Sequence, residues 1–173
     1  MRGVLKIAGS IAVFSACAGF GFFAASEIDR RHRQLKALYA AFLLIQGDIR
    51  YRKSSLPEAF LTASKREGDF SAFFGGVAKR LYAYEADFEQ VFCEELKKNM
   101  EESALKKKDI ALLAQLSGMC GKMDETLQTT AFDWYLSQAE KEIDLLSTEN
   151  AQKIALLKRM GILAGIFLLV LLL

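Results

Sequence analysis

The chain is 173 residues long, more than half apolar and a quarter charged, with a single proline. Its formal charge of +2 resides in Arg2 and Lys6, because the acidic residues from Glu27 to Glu149 balance the basic ones from Arg30 to Arg159. A neutral middle lacks the basic excess of a nucleic-acid binder, and one proline among stretches rich in Ala, Leu, Lys and Glu argues against a sheet-rich fold.

Residues 7–26, IAGSIAVFSACAGFGFFAAS, carry no charge over 20 positions, which suffices for one helical membrane crossing. A cleaved leader would have a shorter apolar core. Here helix-favouring sequence continues into EIDRRHRQLKALYAAF, so a retained transmembrane helix over 1–26 is expected. Beyond it, Leu35, Leu38, Phe42, Ile45 and Ile49 recur at alternating steps of three and four, a narrow helical seam.

The string SSLPEAF places Ser55 three before Glu58, the spacing of a capping box, with Pro57 in the first turn where it removes no needed donor. That helix is expected to end near Gly68, and Asp69 to cap the next, whose buried side reads Phe70, Phe73, Phe74, Val77 and Leu81. Phenylalanine at helical spacing reads as core rather than as a ligand pocket. Another helix carries Phe88, Val91, Phe92 and Leu96 before a polar break over 99–103. Glu94–Glu95 and Glu101–Glu102 alternate with Lys97–Lys98 and Lys106–Lys108, the pattern of a solvated, mutually neutralised face. A further helix with Ile110, Leu113 and Leu116 runs to Gly118. Gly118 and Gly121 then let the chain turn, and Asp124 caps the last long helix.

In that last helix Phe132, Leu136, Ala139, Ile143 and Leu146 form a second seam, placed to pair antiparallel with the first. Residues 160–173, MGILAGIFLLVLLL, again carry no charge. As a helix they reach only ~21 Å against a hydrocarbon core of ~30 Å, but Lys158 and Arg159 can snorkel and lengthen the usable span. Gly161 and Gly165 form a GxxxG at the depth of the small pair Gly21 and Ala25, and these four are expected to pack helix against helix.

The expected fold is all-α. A bundle of about six helices occupies 27–159, and its first and last long helices extend as an antiparallel transmembrane hairpin through 1–26 and 160–173. Arg30, Arg31, Arg33 and Lys36 after the first span, with Lys153, Lys158 and Arg159 before the second, place the bundle in the cytoplasm.

Chemistry-bearing patterns are sparse. Cys17, Cys93 and Cys120 follow neither a disulfide nor a metal spacing and read as small reduced hydrophobes. The single histidine, His32, lies among arginines without neighbouring ligands and reads as solvated or facing headgroups. The glycines at 75–76 lack the Lys-Ser/Thr of a phosphate cradle. No enzymatic activity, cofactor or metal is expected.

Four strings align with one family: the first span followed by RRHRQLKAL, then YRKSSLPEAF from Tyr51 to Phe60, LSGMCGKMDETLQ from Leu116 to Gln128, and the ending KRMGILAGIFLLVLLL. In their order and spacing the whole chain resembles the stage III sporulation protein AB family. Where that family usually has Leu-Gly before the Asp, this chain has Cys120–Gly121, while Gly118, Gly121, Asp124 and Gln128 still match. The family is similar to the cytoplasmic domains of type II secretion platform proteins and type IV pilus inner-membrane proteins.

The resemblance implies a non-enzymatic platform in the mother-cell membrane around the forespore, part of the secretion-like complex that links the two compartments. Its bundle would dock a cytosolic secretion-type ATPase, the stage III sporulation protein AA. Other membrane components of the complex would be partners too, and self-association is allowed. The partner surface implied comprises Tyr51, Pro57, Glu58, Gly118, Gly121, Asp124 and Gln128; the same glycines and Asp124 also read as a plain helix-turn-helix joint. Taken without the family, the pattern equally suits a membrane-tethered sensor or scaffold that binds a soluble signalling protein. An exported helical protein with a cleaved leader and a tail anchor is a third reading.

Overall fold

The computed structural model describes residues 2–66, 68–120 and 125–172, with side chains described mainly over 29–120 and 128–148. Six helices follow one another: α1 (Arg2–Arg52), α2 (Leu56–Ser64), α3 (Ser71–Tyr82), α4 (Phe88–Met100), α5 (Lys107–Cys120) and α6 (Glu125–Leu172). Among the described residues there is no strand. The chain divides into two compact units, one of residues 33–144 and one of residues 1–32 with 145–173.

The 33–144 unit is an up-and-down bundle built around the α1 seam. Leu35, Leu38, Phe42, Ile45 and Ile49 are all buried, as their spacing predicts. From α6, Phe132, Leu136, Ala139 and Ile143 are buried and Leu146 is half-buried. The two seams run antiparallel: the Phe42 ring lies 6.1 Å from Phe132 and 4.7 Å from Tyr135. One turn further along, Gln46 Nε2 donates a 2.6 Å hydrogen bond to Asp133 Oδ1.

Phe42 is the hub of the core. Besides the α6 rings it meets Phe60 of α2, Phe74 of α3 and Phe92 of α4, at centroid distances of 6.4, 5.5 and 6.4 Å. Most of these pairs are edge-on or tilted, which lets the positive ring edge meet the negative face of its neighbour and adds about 0.5–1.5 kcal/mol per pair beyond the area buried. The phenylalanine stripe of α3 is therefore core.

At the end where α1 enters the unit and α6 leaves it, one buried amide ties two connections together. Gln34 Nε2 donates to Asp69 Oδ2 at 2.8 Å, and Gln34 Oε1 accepts from Ala104 N at 2.8 Å. A single side chain thus holds the α2–α3 and α4–α5 loops. Lys108 and Glu142 form a 2.6 Å ion pair between α5 and α6.

Four local expectations are corrected. Ser55 sits at the N-cap of α2, but its side chain makes no capping bond, so the capping box does not form. Asp69 does not cap α3; Phe70 occupies that position, and the Asp69 carboxylate is taken by Gln34. Gly118 is no turn residue, because α5 continues through it to Cys120. Glu95 is not part of a solvated face: it is 5% exposed, 3.7 Å from Arg80 Nη1 and hydrogen-bonded to Asn99 Nδ2 at 3.0 Å. For Asp69 and Glu95 the carboxylate goes to the donors the fold brings nearest.

The other unit contains the beginning of α1 and the end of α6. Phe23, Leu156, Met160, Leu163 and Phe167 are each 58–67% exposed there. Among the described residues no helix is long and apolar enough to cross a membrane. The side chains of Gly21, Ala25, Gly161 and Gly165, expected to pack together, lie outside the described residues, as does that of Cys17.

Candidate docking surface

At the end of the bundle opposite Gln34, the α1–α2 and α3–α4 connections converge with the end of α5. The rings of Phe60 and Phe88 are 5.7 Å apart, which sets the α1–α2 connection beside the α3–α4 connection. Cys93 Sγ lies 3.4 Å from Ser117 Oγ, and a Cβ on Gly118 would stand 3.5 Å from Glu89 Oε1, so the end of α5 lies against the start of α4. The regions 51–58 and 116–120, far apart in the chain, therefore share one end.

The α1–α2 connection reverses at Lys53, whose φ is 56°, with Ser54 N–H donating to Asp48 O at 3.2 Å. Asp48 is buried; its Oδ1 meets Arg52 Nη1 at 3.3 Å and its Oδ2 has no hydrogen-bond partner among the described residues. Tyr51 is 80% exposed between Arg50 and Arg52. Pro57 is half-buried in the first turn of α2, and Glu58 beside it is exposed.

The α3–α4 connection is the more fully built of the two. Tyr84 N–H donates to Leu81 O at 3.2 Å and Glu85 N–H to Arg80 O at 3.3 Å, the paired bonds of a Schellman helix end. Arg80 also clamps the turn from outside, with Nε 2.8 Å from Glu85 and Nη2 2.6 Å from Glu94. Gln90 Nε2 donates to Glu94 at 3.0 Å, and Gln90 and Arg80 together hold the Glu94 carboxyl below its ordinary range. Asp87 then caps α4, accepting from Gln90 N at 2.9 Å. The sequence signal for this turn is Asp87 before Phe88, an N-cap ahead of an apolar run.

Of the other implied partner residues, Gly118 is exposed on α5 and Gln128 half-buried near the start of α6. Gly121 and Asp124 lie outside the described residues. The structure thus brings Tyr51, Pro57, Glu58 and Gly118 to one end of the bundle. Near them Cys120 is buried, and burial pushes its thiol up to about 12.

Elsewhere among the described residues there are small clefts, one of about 150 Å³ lined by Ala37, Ala63, Phe70 and Phe74. A cleft of about 160 Å³ between α1, α5 and α6 is lined by Leu35, Asp109 and Tyr135 and edged by the Lys108–Glu142 pair. The Asp109 carboxylate there accepts from Lys106 N at 2.8 Å. Among the described residues no group of His, Cys, Asp or Glu could hold a metal ion.

Fold and surface together define an all-helical bundle whose built feature is an exposed end where two turns meet the end of α5. The chain matches the Stage III sporulation protein AB family over residues 6–173, and it belongs to that family. It is 27% identical to the Stage III sporulation protein AB of Bacillus subtilis (strain 168), over 98% of this chain and 99% of that protein. A solved structure of Stage III sporulation protein AB is similar in fold, with a TM-score of 0.65 and 22% identity, covering 70% of this chain and 97% of that one.

Proposed function

We propose that the protein is a membrane platform of the complex joining the mother cell to the forespore, and that it docks a secretion-type ATPase without carrying out chemistry itself. Residues 7–26 and 160–173 form the two crossings of the mother-cell membrane around the forespore, and the bundle faces the cytoplasm. The exposed apolar side chains of Phe23, Leu163 and Phe167 favour lipid as their surroundings, because such surface is costly in water. The lysines and arginines that flank both stretches favour the cytoplasmic orientation.

The observation that carries the docking reading is the convergence of Tyr51, Glu58 and Gly118 at one end of the bundle, opposite the end where the chain enters and leaves it. That end is opposite the points where the chain continues toward the membrane segments. The test is purification of the full-length protein in mild detergent from sporulating cells. The stage III sporulation protein AA should accompany it, and Glu58→Lys combined with Asp124→Lys should remove it while helicity is unchanged. Absence of the ATPase from the wild-type preparation would end the docking reading. Digestion of the bundle by protease confined to the non-cytoplasmic side of that membrane would invert the topology.

A further inference from the structure

Tyr84 occupies an unusual place. At the C′ position of a Schellman helix end the backbone is left-handed, and glycine is the ordinary occupant because an L side chain crowds its own carbonyl there. Here φ is 53° and the residue is tyrosine, 92% exposed. Its ring gains almost no burial in return for that conformation. Two positions earlier Tyr82 is 50% exposed. The α1–α2 connection repeats the construction: Tyr51 is 80% exposed, and Lys53 two positions on has φ 56°.

Strained backbone that contributes nothing to packing is found where a surface is used. The turn is also rigid, fixed by two backbone bonds, the Arg80 clamp and the Asp87 cap. An exposed tyrosine on a rigid support suits a binding anchor, since a large ring is buried on contact with little conformational freedom to lose. Charge narrows the partner. Residues 82–89, YAYEADFE, hold three carboxylates; Arg80 neutralises Glu85, and the exposed Asp87 and Glu89 leave the turn acidic.

The geometry points to Tyr84, with Tyr82 beside it, as the anchor by which this bundle grips its protein partner, on a partner surface that offers an apolar pocket rimmed by lysine or arginine. This rests on the docking reading above and adds a turn that reading did not contain.

The experiment compares full-length variants in nanodiscs for binding to the purified ATPase and for thermal unfolding. Tyr84→Gly should weaken binding by about tenfold or more, the loss expected of an anchor. Its melting temperature should stay level or rise, because glycine suits a φ of 53°. Glu89→Lys, which leaves the turn's hydrogen bonds intact, should weaken binding as well. A smaller loss with Tyr84→Gly, while the wild type binds, overturns the anchor and leaves the docking reading standing. Lower melting temperatures in both Tyr84→Gly and Tyr84→Asn would make the ring architectural and overturn it too. Tighter binding by Glu89→Lys removes the basic rim. A wild-type protein that does not bind the ATPase brings down the docking reading, and the anchor with it.

Discussion

The ring of Phe42 stands 4.7 Å from that of Tyr135 at an interplanar angle of 61°, and through this contact α1 and α6 share one core. Phe42 also touches rings from α2, α3 and α4, so no other side chain joins as many elements of the described aromatic core. Phe42→Ala removes the hub of that cluster. It should cost about 3–5 kcal/mol, the range for truncating a fully buried phenylalanine, because rings held by five helices cannot all collapse into the space. Urea unfolding followed by circular dichroism would measure it. A loss below about 1 kcal/mol would mean the core repacks freely.

Gln34 makes a different test, because its two amide ends have different jobs. In Gln34→Glu the carboxylate still accepts from Ala104 N–H but faces Asp69 with no proton to share. The variant should lose about 1–3 kcal/mol at neutral pH and recover much of it in acid, where one carboxyl is protonated and donates to the other. Hydrogen exchange at residues 68–70 should rise while that at Ala104 changes less. Equal opening of both loops would contradict the division of labour.

The neighbouring glycines of α3 should part company. A Cβ on Gly75 would lie 3.6 Å from Ser64 Cβ, an ordinary contact, so Gly75→Ala should stabilise by about 0.5–1 kcal/mol through helix propensity. A Cβ on Gly76 would meet the buried Glu95 carboxylate, with Glu95 Cδ only 2.7 Å away. Gly76→Ala must displace that group from Asn99 and Arg80, so it should come out less stable than Gly75→Ala by about 1–3 kcal/mol. Melting both variants side by side decides it, and equal effects would show that Glu95 moves at no cost.

Alkaline pH should unfold the bundle more readily than its acidic groups would suggest. Burial raises the Cys120 thiol from an ordinary 9.0 to about 12, and burial together with the Asp109 charge raises the Tyr135 hydroxyl. Both native groups keep a proton that the unfolded chain releases. Their contribution is therefore complete below the unfolded values and is lost as pH rises above them. Above about pH 9 stability should fall by up to about 1.4 kcal/mol per pH unit for each group. Cys120→Ala should delay the onset until tyrosine titrates. A profile flat from about pH 8 to 11 would be inconsistent with burial of either group.

Much of the architecture is legible in the chain itself, and particular residues show why. Leu35, Leu38, Phe42, Ile45 and Ile49 can lie on one face only in a helix, and no other period gathers them. The same holds for Phe88, Val91, Phe92 and Leu96. Helix existence and the buried side of each helix are local consequences of spacing. The fate of individual polar groups is not. Ser55, Asp69 and Glu95 each had a plausible local role: the Ser55 hydroxyl makes no capping bond, Asp69 is taken by Gln34 of α1, and Glu95 is held by Arg80 of α3 and by Asn99 on its own helix.

The candidate surface divides in the same way. Family strings pointed to 51–58 and 116–128, but the α3–α4 turn carries no such string, and its place beside them follows from the packing of Phe60 on Phe88. The left-handed backbone at Tyr84 was equally hidden, since tyrosine is the wrong residue for a reader who expects glycine there. The sequence by itself determined six helices and the stripes they bury, because hydrophobic period is a short-range property of the chain. Only the tertiary structure decided which turns meet and which carboxylates lose their water, because those depend on contacts between residues that are distant in sequence and near in space.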